Sequence, residues 1–254
     1  MILNENTIYD ISYDAIICGS GPAGVSLAID LERSGIKSLI IEAGDEFYSE
    51  EAQKKYIGEV EGNFPKDLSL LRLSQFGGTT GHWGGVCRPL DDYDFNQWPI
   101  NKEELNKFKI PTSNFLNIKN NFGEKQLNSN LKIVEFLQSD LRIYEKYYEY
   151  IKESKNIFLI LNTSITDIVL DDKSVKSIFI KTPSKKIAIK SRLLILACGG
   201  IENSRLLLWF REKNKNFLKN SPIGSYWMEH PFKLIGSGIA NFARVRENFK
   251  NNFY

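Results

Sequence analysis

Histidine is nearly absent from this chain, which holds two in 254 residues. That scarcity leaves His82 and His230 as its whole supply of imidazole. Cysteine is also sparse. Cys18, Cys87 and Cys198 are odd in number and widely spaced, which excludes a disulfide framework or a zinc-ligand spacing. No metal site is expected, and a reducing cytoplasm is the expected compartment. No apolar run approaches the roughly 18 residues needed to cross a bilayer. The opening MILNENTIYDISYD has neither a basic start nor an apolar stretch of the secretory kind. There is no excess of one charge either: 33 basic against 31 acidic residues give a net charge of +2. Arginine contributes only 9 of the 33, so neither nucleic acid nor a membrane surface is an expected partner. What remains is an ordinary globular composition, 42% hydrophobic and 25% charged, with a mean hydropathy of -0.28. At about 150 residues per domain, the length suits one large domain or one domain and a fraction.

The clearest pattern lies in the first fifty residues. Asp14 to Cys18 is a short apolar run that stops at Gly19-Ser20-Gly21-Pro22-Ala23-Gly24. Val25, Leu27, Ala28, Ile29 and Leu31 then recur at helical spacing, Gly35 closes the helix, and Ser38 to Ile41 form a second buried strand ending in Glu42. The segment reads as one β-α-β unit with separate tasks for its glycines. Gly19 permits the tight turn, Gly21 lets backbone approach a pyrophosphate, and Gly24 lets the helix pack on the strand. The helix N-terminus offers N–H groups and a positive dipole end to phosphate. Glu42 stands where a carboxylate accepts hydrogen bonds from ribose hydroxyls. A lone G-x-G-x-x-G also serves packing alone, but here strand, helix and terminal acid all accompany it.

Further along, Gly77-Gly78-Thr79-Thr80-Gly81-His82-Trp83-Gly84-Gly85 has five glycines in nine residues and cannot be a regular helix. With His82 and Trp83 inside it, such backbone wraps a ligand rather than serving as a solvated linker. Residues 101 to 156 suggest one or two surface helices, from the apolar spacing at Ile133, Phe136, Leu137, Leu141, Ile143 and Tyr144. Asn114 to Asn130 reads as an irregular connection. From Phe158 the runs 158–161, 165–170, 175–180 and 187–189 predict a β-meander inserted into an α/β sheet. Leu193 to Leu196, continuous in apolar character, predicts a parallel central strand, and Ala197-Cys198-Gly199-Gly200 leads from it into a second helix.

Taken together, these motifs resemble the glucose-methanol-choline flavin oxidoreductases. The residues that carry the likeness are Cys18 to Gly24, Ile41-Glu42-Ala43-Gly44, Gly77 to Thr80, Ala197 to Arg205, and Gly224 to Pro231. The resemblance implies an α/β, Rossmann-like FAD-binding domain, a parallel sheet with helices and an inserted β-meander, over residues 1–231. Residues 232–254 would begin a substrate-binding sheet domain. It further implies FAD as cofactor and oxidation of a CH-OH group of a small-molecule alcohol or sugar by hydride transfer to the flavin. The cofactor contacts implied are Gly19, Ser20, Gly21, Pro22, Ala23, Gly24, Glu42, Ala43, Gly78, Thr79, Gly81, His82, Trp83, Gly84, Ile165, Cys198 and Gly199. His82 occupies the position of the histidine that carries covalent flavin in some members. Covalent attachment through His82 and an unreacted histidine packed beside the ring both stay open, with Trp83 as a wall of the flavin pocket. Cys18 and Cys198 are expected to fill space beside glycine, His230 to orient the junction at Pro231, and Glu202 to pair locally with Arg205.

The chain departs from the family in one respect. The family's proton-abstracting histidine lies in a C-terminal stretch, and neither His82 nor His230 matches it, so no catalytic residue is assigned and the chain reads as truncated. Two classes of function remain open: the FAD-binding portion of an alcohol or sugar oxidoreductase, and a noncatalytic or degenerate FAD-binding protein. A reductase using NAD(P)H would need a second glycine-rich fingerprint, and none is visible.

Overall fold

The computed structural model describes residues 1–228 except Asp10, 63–66, Leu131, 172–173 and Ser191, and only the backbone of Gln97. His230, Pro231 and the segment 232–254 lie outside the described residues. In chain order the elements are β1 (Ala15–Cys18), α1 (Pro22–Arg33), β2 (Ser38–Ile41), α2 (Glu50–Gln53), β3 (Val86–Cys87), α3 (Lys102–Asn106), α4 (Lys109–Leu116), β4 (Glu124–Gln126), β5 (Lys132–Val134) and β6 (Leu137–Gln138). There follow α5 (Ile143–Glu153), β7 (Ile157–Ile160), β8 (Ser164–Asp171), β9 (Ser174–Lys181), β10 (Lys186–Lys190), β11 (Leu193–Leu196) and α6 (Gly200–Lys213).

Four parallel strands in the order β11-β1-β2-β7 make the main sheet, with Ala15 level with both Leu193 and Ser38, and Ser38 with Ile157. All twelve residues of β1, β2 and β7 are buried, as expected of strands covered on both faces. Successive side chains point to opposite faces, so the sheet feeds two apolar clusters. One gathers Ile16, Leu39, Ile41, Phe158 and Ile160 with isoleucines of β8 to β10 and with Leu206 and Phe210 of α6. The other gathers Ile17, Ile40, Ile157 and Leu159 with Val25, Ala28 and Ile29 of α1, Ile143 and Ile151 of α5, and Phe76. Each Val, Leu, Ile or Phe side chain so buried stabilises the fold by about 1.5–3 kcal/mol. Strands β8, β9 and β10 form a separate antiparallel sheet, Ile165 facing Ile180 and Ile187 facing Ile180.

Three expectations are corrected here. The run at Phe158 belongs to the parallel sheet as β7 and not to the meander, because both of its faces find apolar partners. Strand β11 is parallel, but it lies at the edge of the described sheet, and Leu193 is 53% exposed. Continuous apolar character reports the surroundings of a strand's faces and leaves its lateral place undetermined. Among the described residues the middle of the chain holds three helices rather than one or two, and the Asn-rich stretch contains β4, paired with β5 in a hairpin. Ile133 and Leu137 lie in strands, whereas Ile143 and Ile151 do form the buried stripe of a helix, α5.

The chain divides into two compact units. The first comprises Met1–Gly85, Phe115–Asn117 and Ser139–Gly224. The second comprises Val86–Asn114, Ile118–Gln138 and the described residues from Ser225 onward. Within the second unit, Arg88 is paired with Asp91 at 3.0 Å and with Glu124, its side chain only 8% exposed.

Candidate functional site

Strands β1, β2 and β11 run in the same direction, so their carboxyl ends meet, and β1 sends α1 towards β2 while β11 opens into α6. A crevice at the carboxyl ends of parallel strands, where connections diverge, is the usual ligand position in such sheets. Gly19 leaves β1 at φ +101°, and a Cβ there would stand 2.5 Å from the Ala197 carbonyl oxygen. A Cβ on Gly24 would stand 2.0 Å from the Gly19 oxygen. Both glycines are therefore required by the protein's own packing.

Gly21 is different. Its φ of -66° suits any residue, and among the described residues, its two chain neighbours aside, no atom lies within 4 Å of where its Cβ would be. It caps α1 without a side-chain hydrogen bond, Pro22 begins the helix, and the first turn carries no acid. The exposed Pro22 and Ala23 thus flank a helix end that no side-chain cap and no first-turn acid neutralises among the described residues.

Ser20, fully buried, ties this turn to the end of β2. Its N–H donates to Glu42 Oε2 at 3.0 Å and its hydroxyl to the same oxygen at 2.6 Å. The Gly44 N–H donates to Glu42 Oε1 at 2.8 Å. Glu42 is only 5% exposed; burial pushes its carboxyl up, against the downward pull of these hydrogen bonds and of nearby Lys55. Lys55 Nζ donates to the Ala43 carbonyl at 2.7 Å.

The glycine-rich segment closes on the same turn. The Gly77 N–H donates to Ser20 Oγ at 3.1 Å, and a Cβ on Gly78 would come within 3.3 Å of Gly21 Cα. Gly78–Gly81 is a single 3-10 turn in which the Thr79 carbonyl accepts from the His82 N–H at 3.1 Å and the Trp83 N–H at 3.0 Å. Gly81 is wedged against Gln75, whose Nε2 would lie 2.5 Å from its Cβ. His82 is exposed at the end of the turn, as is Gly84. Trp83 is half-buried, with its indole N–H donating to the Leu141 carbonyl at 2.9 Å.

On the other flank, Gly199 turns into α6 at φ +82°. Asn203 stitches that turn, accepting from the Cys198 N–H at 2.9 Å and donating to the Leu196 carbonyl at 3.2 Å. The Cys198 thiol donates to the Cys18 carbonyl at 3.0 Å, and burial, reinforced by the charge of Glu42, pushes its pKa up to about 12.

Gly19 to Gly24, Glu42, Ala43, Gly78, Cys198 and Gly199 thus surround the carboxyl ends of the sheet. The Ile165 side chain lies elsewhere, buried among the isoleucines of β8 to β10. Glu202 does pair with Arg205, at 2.7 Å, but its other oxygen holds Arg72 at 2.9 Å, a partner 130 residues away that sequence reasoning missed. Asn203 was legible as part of a motif but not as the stitch. Among the described residues no three His, Cys, Asp or Glu side chains cluster as metal ligands would, and no helix is long and apolar enough to cross a membrane.

No family model and no curated protein matches the chain. Solved structures do. The fold is similar to that of pyridoxine 4-oxidase from Mesorbium loti, with a TM-score of 0.53 and 16% identity over 78% of this chain and 52% of that one. It is also similar to an FAD-dependent oxidoreductase from Chaetomium thermophilum, with a TM-score of 0.52 and 13% identity over 79% of this chain and 48% of that one. The chain spans about half the length of these neighbours.

Proposed function

We propose that this chain is the FAD-binding portion of a flavin oxidoreductase of glucose-methanol-choline type. The complete protein oxidises a CH-OH group of a small-molecule alcohol or sugar. In this reading residues 1–231 form a Rossmann-like FAD domain and 232–254 open a substrate domain. Support comes from the sequence motifs together with the FAD-dependent oxidoreductase named among the fold neighbours.

The observation that carries the proposal is Gly21, a glycine the protein does not itself need. Its backbone is ordinary and, among the described residues beyond its chain neighbours, nothing meets a Cβ there, so the missing side chain makes room for something outside the chain. That space adjoins an uncapped helix N-terminus, which suits an anionic pyrophosphate. The residues present therefore fit FAD. The first turn of α1 would hold the diphosphate, Glu42 would accept from ribose hydroxyls with its remaining lone pairs, and Gly78 would bring backbone beside Gly21. Glu42 is held in place for this by Ser20 and Gly44, which restrict both of its oxygens. When bound, FAD supplies a ring that accepts a hydride. His82 is proposed to lie beside that ring, attached or unattached.

Titration of the chain with FAD tests the reading: flavin fluorescence should be quenched, and binding should disappear in Gly21→Val. A folded wild-type chain that leaves FAD free at high concentration would refute it. Yellow colour retained after acid precipitation, and released in His82→Ala, would establish the covalent form; free FAD in the supernatant would establish the other.

A further inference from the structure

The Tyr56 side chain lies outside the sequence motifs, yet contacts on either side tie its segment to the ends of both strands that flank β1. The chain leaves β2 at Glu42, passes through α2 and a 3-10 turn at Lys54–Tyr56, and is tied back to the strand end by Lys55 on the Ala43 carbonyl. The Arg72 guanidinium lies over the Tyr56 ring, 4.1 Å from its centroid, and donates to the Tyr56 carbonyl at 3.3 Å. From there Arg72 reaches Glu202 at 2.9 Å, in the first turn of α6 just beyond Cys198 and Gly199. The side chains of this pair are only 15% and 14% exposed. Gln53 fixes the segment carrying Arg72, donating to the Arg72 carbonyl at 2.7 Å and accepting from the Ser74 N–H at 3.0 Å.

Arg72, itself held by Glu202, covers one face of the Tyr56 ring, and a cation–π contact of this kind stiffens the ring's position. Yet among the described residues the Tyr56 hydroxyl makes no hydrogen bond. A half-buried phenol whose ring is fixed while its hydroxyl is unused is a donor available to a ligand.

We propose that Tyr56 is an adenosine-binding residue of the dinucleotide site, its hydroxyl bonding the nucleoside at the Glu42 end, with Arg72 and Glu202 as its positioning residues. The inference rests on the dinucleotide reading and adds to it a residue with no place in the glycine fingerprint. The charges acting on the phenol are those of Glu42, Arg72, Glu202 and Cys198, the groups around that end of the crevice. Burial holds the phenol neutral far above physiological pH, so it remains a donor.

Affinities of the full chain for FAD, by flavin fluorescence, and for ADP, by calorimetry, should be compared with those of Tyr56→Phe. Loss of one neutral hydrogen bond should weaken both by about three- to tenfold. The ligand-free melting temperature should not change, because the hydroxyl holds nothing within the protein. Arg72→Met should weaken ADP binding in the wild-type background and much less in Tyr56→Phe, since it acts through the ring. Unchanged FAD and ADP affinity in Tyr56→Phe would overturn the inference and leave the dinucleotide reading standing. A lowered ligand-free melting temperature in Tyr56→Phe, or fully additive losses, would overturn it as well by showing a structural role. A folded wild-type chain that binds neither ligand would overturn the dinucleotide reading itself.

Discussion

At the scale of single residues, the glycine turn separates structural from functional demands. Gly19 and Gly24 have protein backbone where a side chain would go, while Gly21 has nothing, so one motif contains residues fixed by folding and one free to be fixed by a ligand. Glu42 gives this a pH dependence. Its pKa in the folded protein is raised above the ordinary 4.5, so the fold gains from its protonation. That contribution is fully present below pH 4.5 and is lost as pH rises through the folded value. The stability of wild type relative to Glu42→Gln should therefore fall as pH increases from 4 towards neutrality. A difference that rises over that range in urea melts would contradict the assignment. The thiols give a second test at this scale. Cys18 is buried and its pKa is raised well above 9.0, and that of Cys198 is raised to about 12, so neither offers thiolate at neutral pH. Iodoacetamide at pH 7.5 should label both only after unfolding, as peptide mass mapping would show.

At the scale of elements, β7 is the informative case. Its four buried residues join β2 in register, and its sequence resembles the antiparallel runs that follow it. Amides of Ile157 to Ile160 should exchange at the rate of β1 and β2 amides, slower than those of β10, which has an exposed residue at every second position. Exchange of β7 together with β10 would place it in the other sheet. The local legibility of elements followed the range of their determinants. Strand β1, helix α1 and strand β2 were readable because glycine, proline and apolar spacing lie within thirty residues of one another. The lateral order of β7 and β11 was not, because pairing is decided by partners more than a hundred residues away.

For the whole molecule, the proposed FAD binding couples to stability. FAD at one hundred times its dissociation constant should stabilise the chain by about 2.7 kcal/mol. For a protein of this size that corresponds to a rise in melting temperature of roughly 5–10 °C. Gly21→Ala should nearly keep the ligand-free melting temperature and reduce the rise, since its Cβ enters space no described residue beyond its chain neighbours fills. Gly24→Ala should lower the ligand-free value, since its Cβ meets the Gly19 carbonyl. Equal ligand-free destabilisation by both variants in a thermal scan would show that Gly21 serves packing alone.

The sequence by itself determined the β-α-β unit, the glycines of the turn and the carboxylate at the end of β2, because each depends on backbone freedom or spacing that neighbouring residues impose. Only the tertiary structure decided which glycine the fold can spare, that Ser20 joins Glu42 to Gly77, and that Arg72 reaches Glu202 across 130 residues. These are matters of close approach between segments. Hydrogen bonds and ion pairs act over a few ångströms, and the separations that satisfy them are set by packing of the whole sheet rather than by order along the chain.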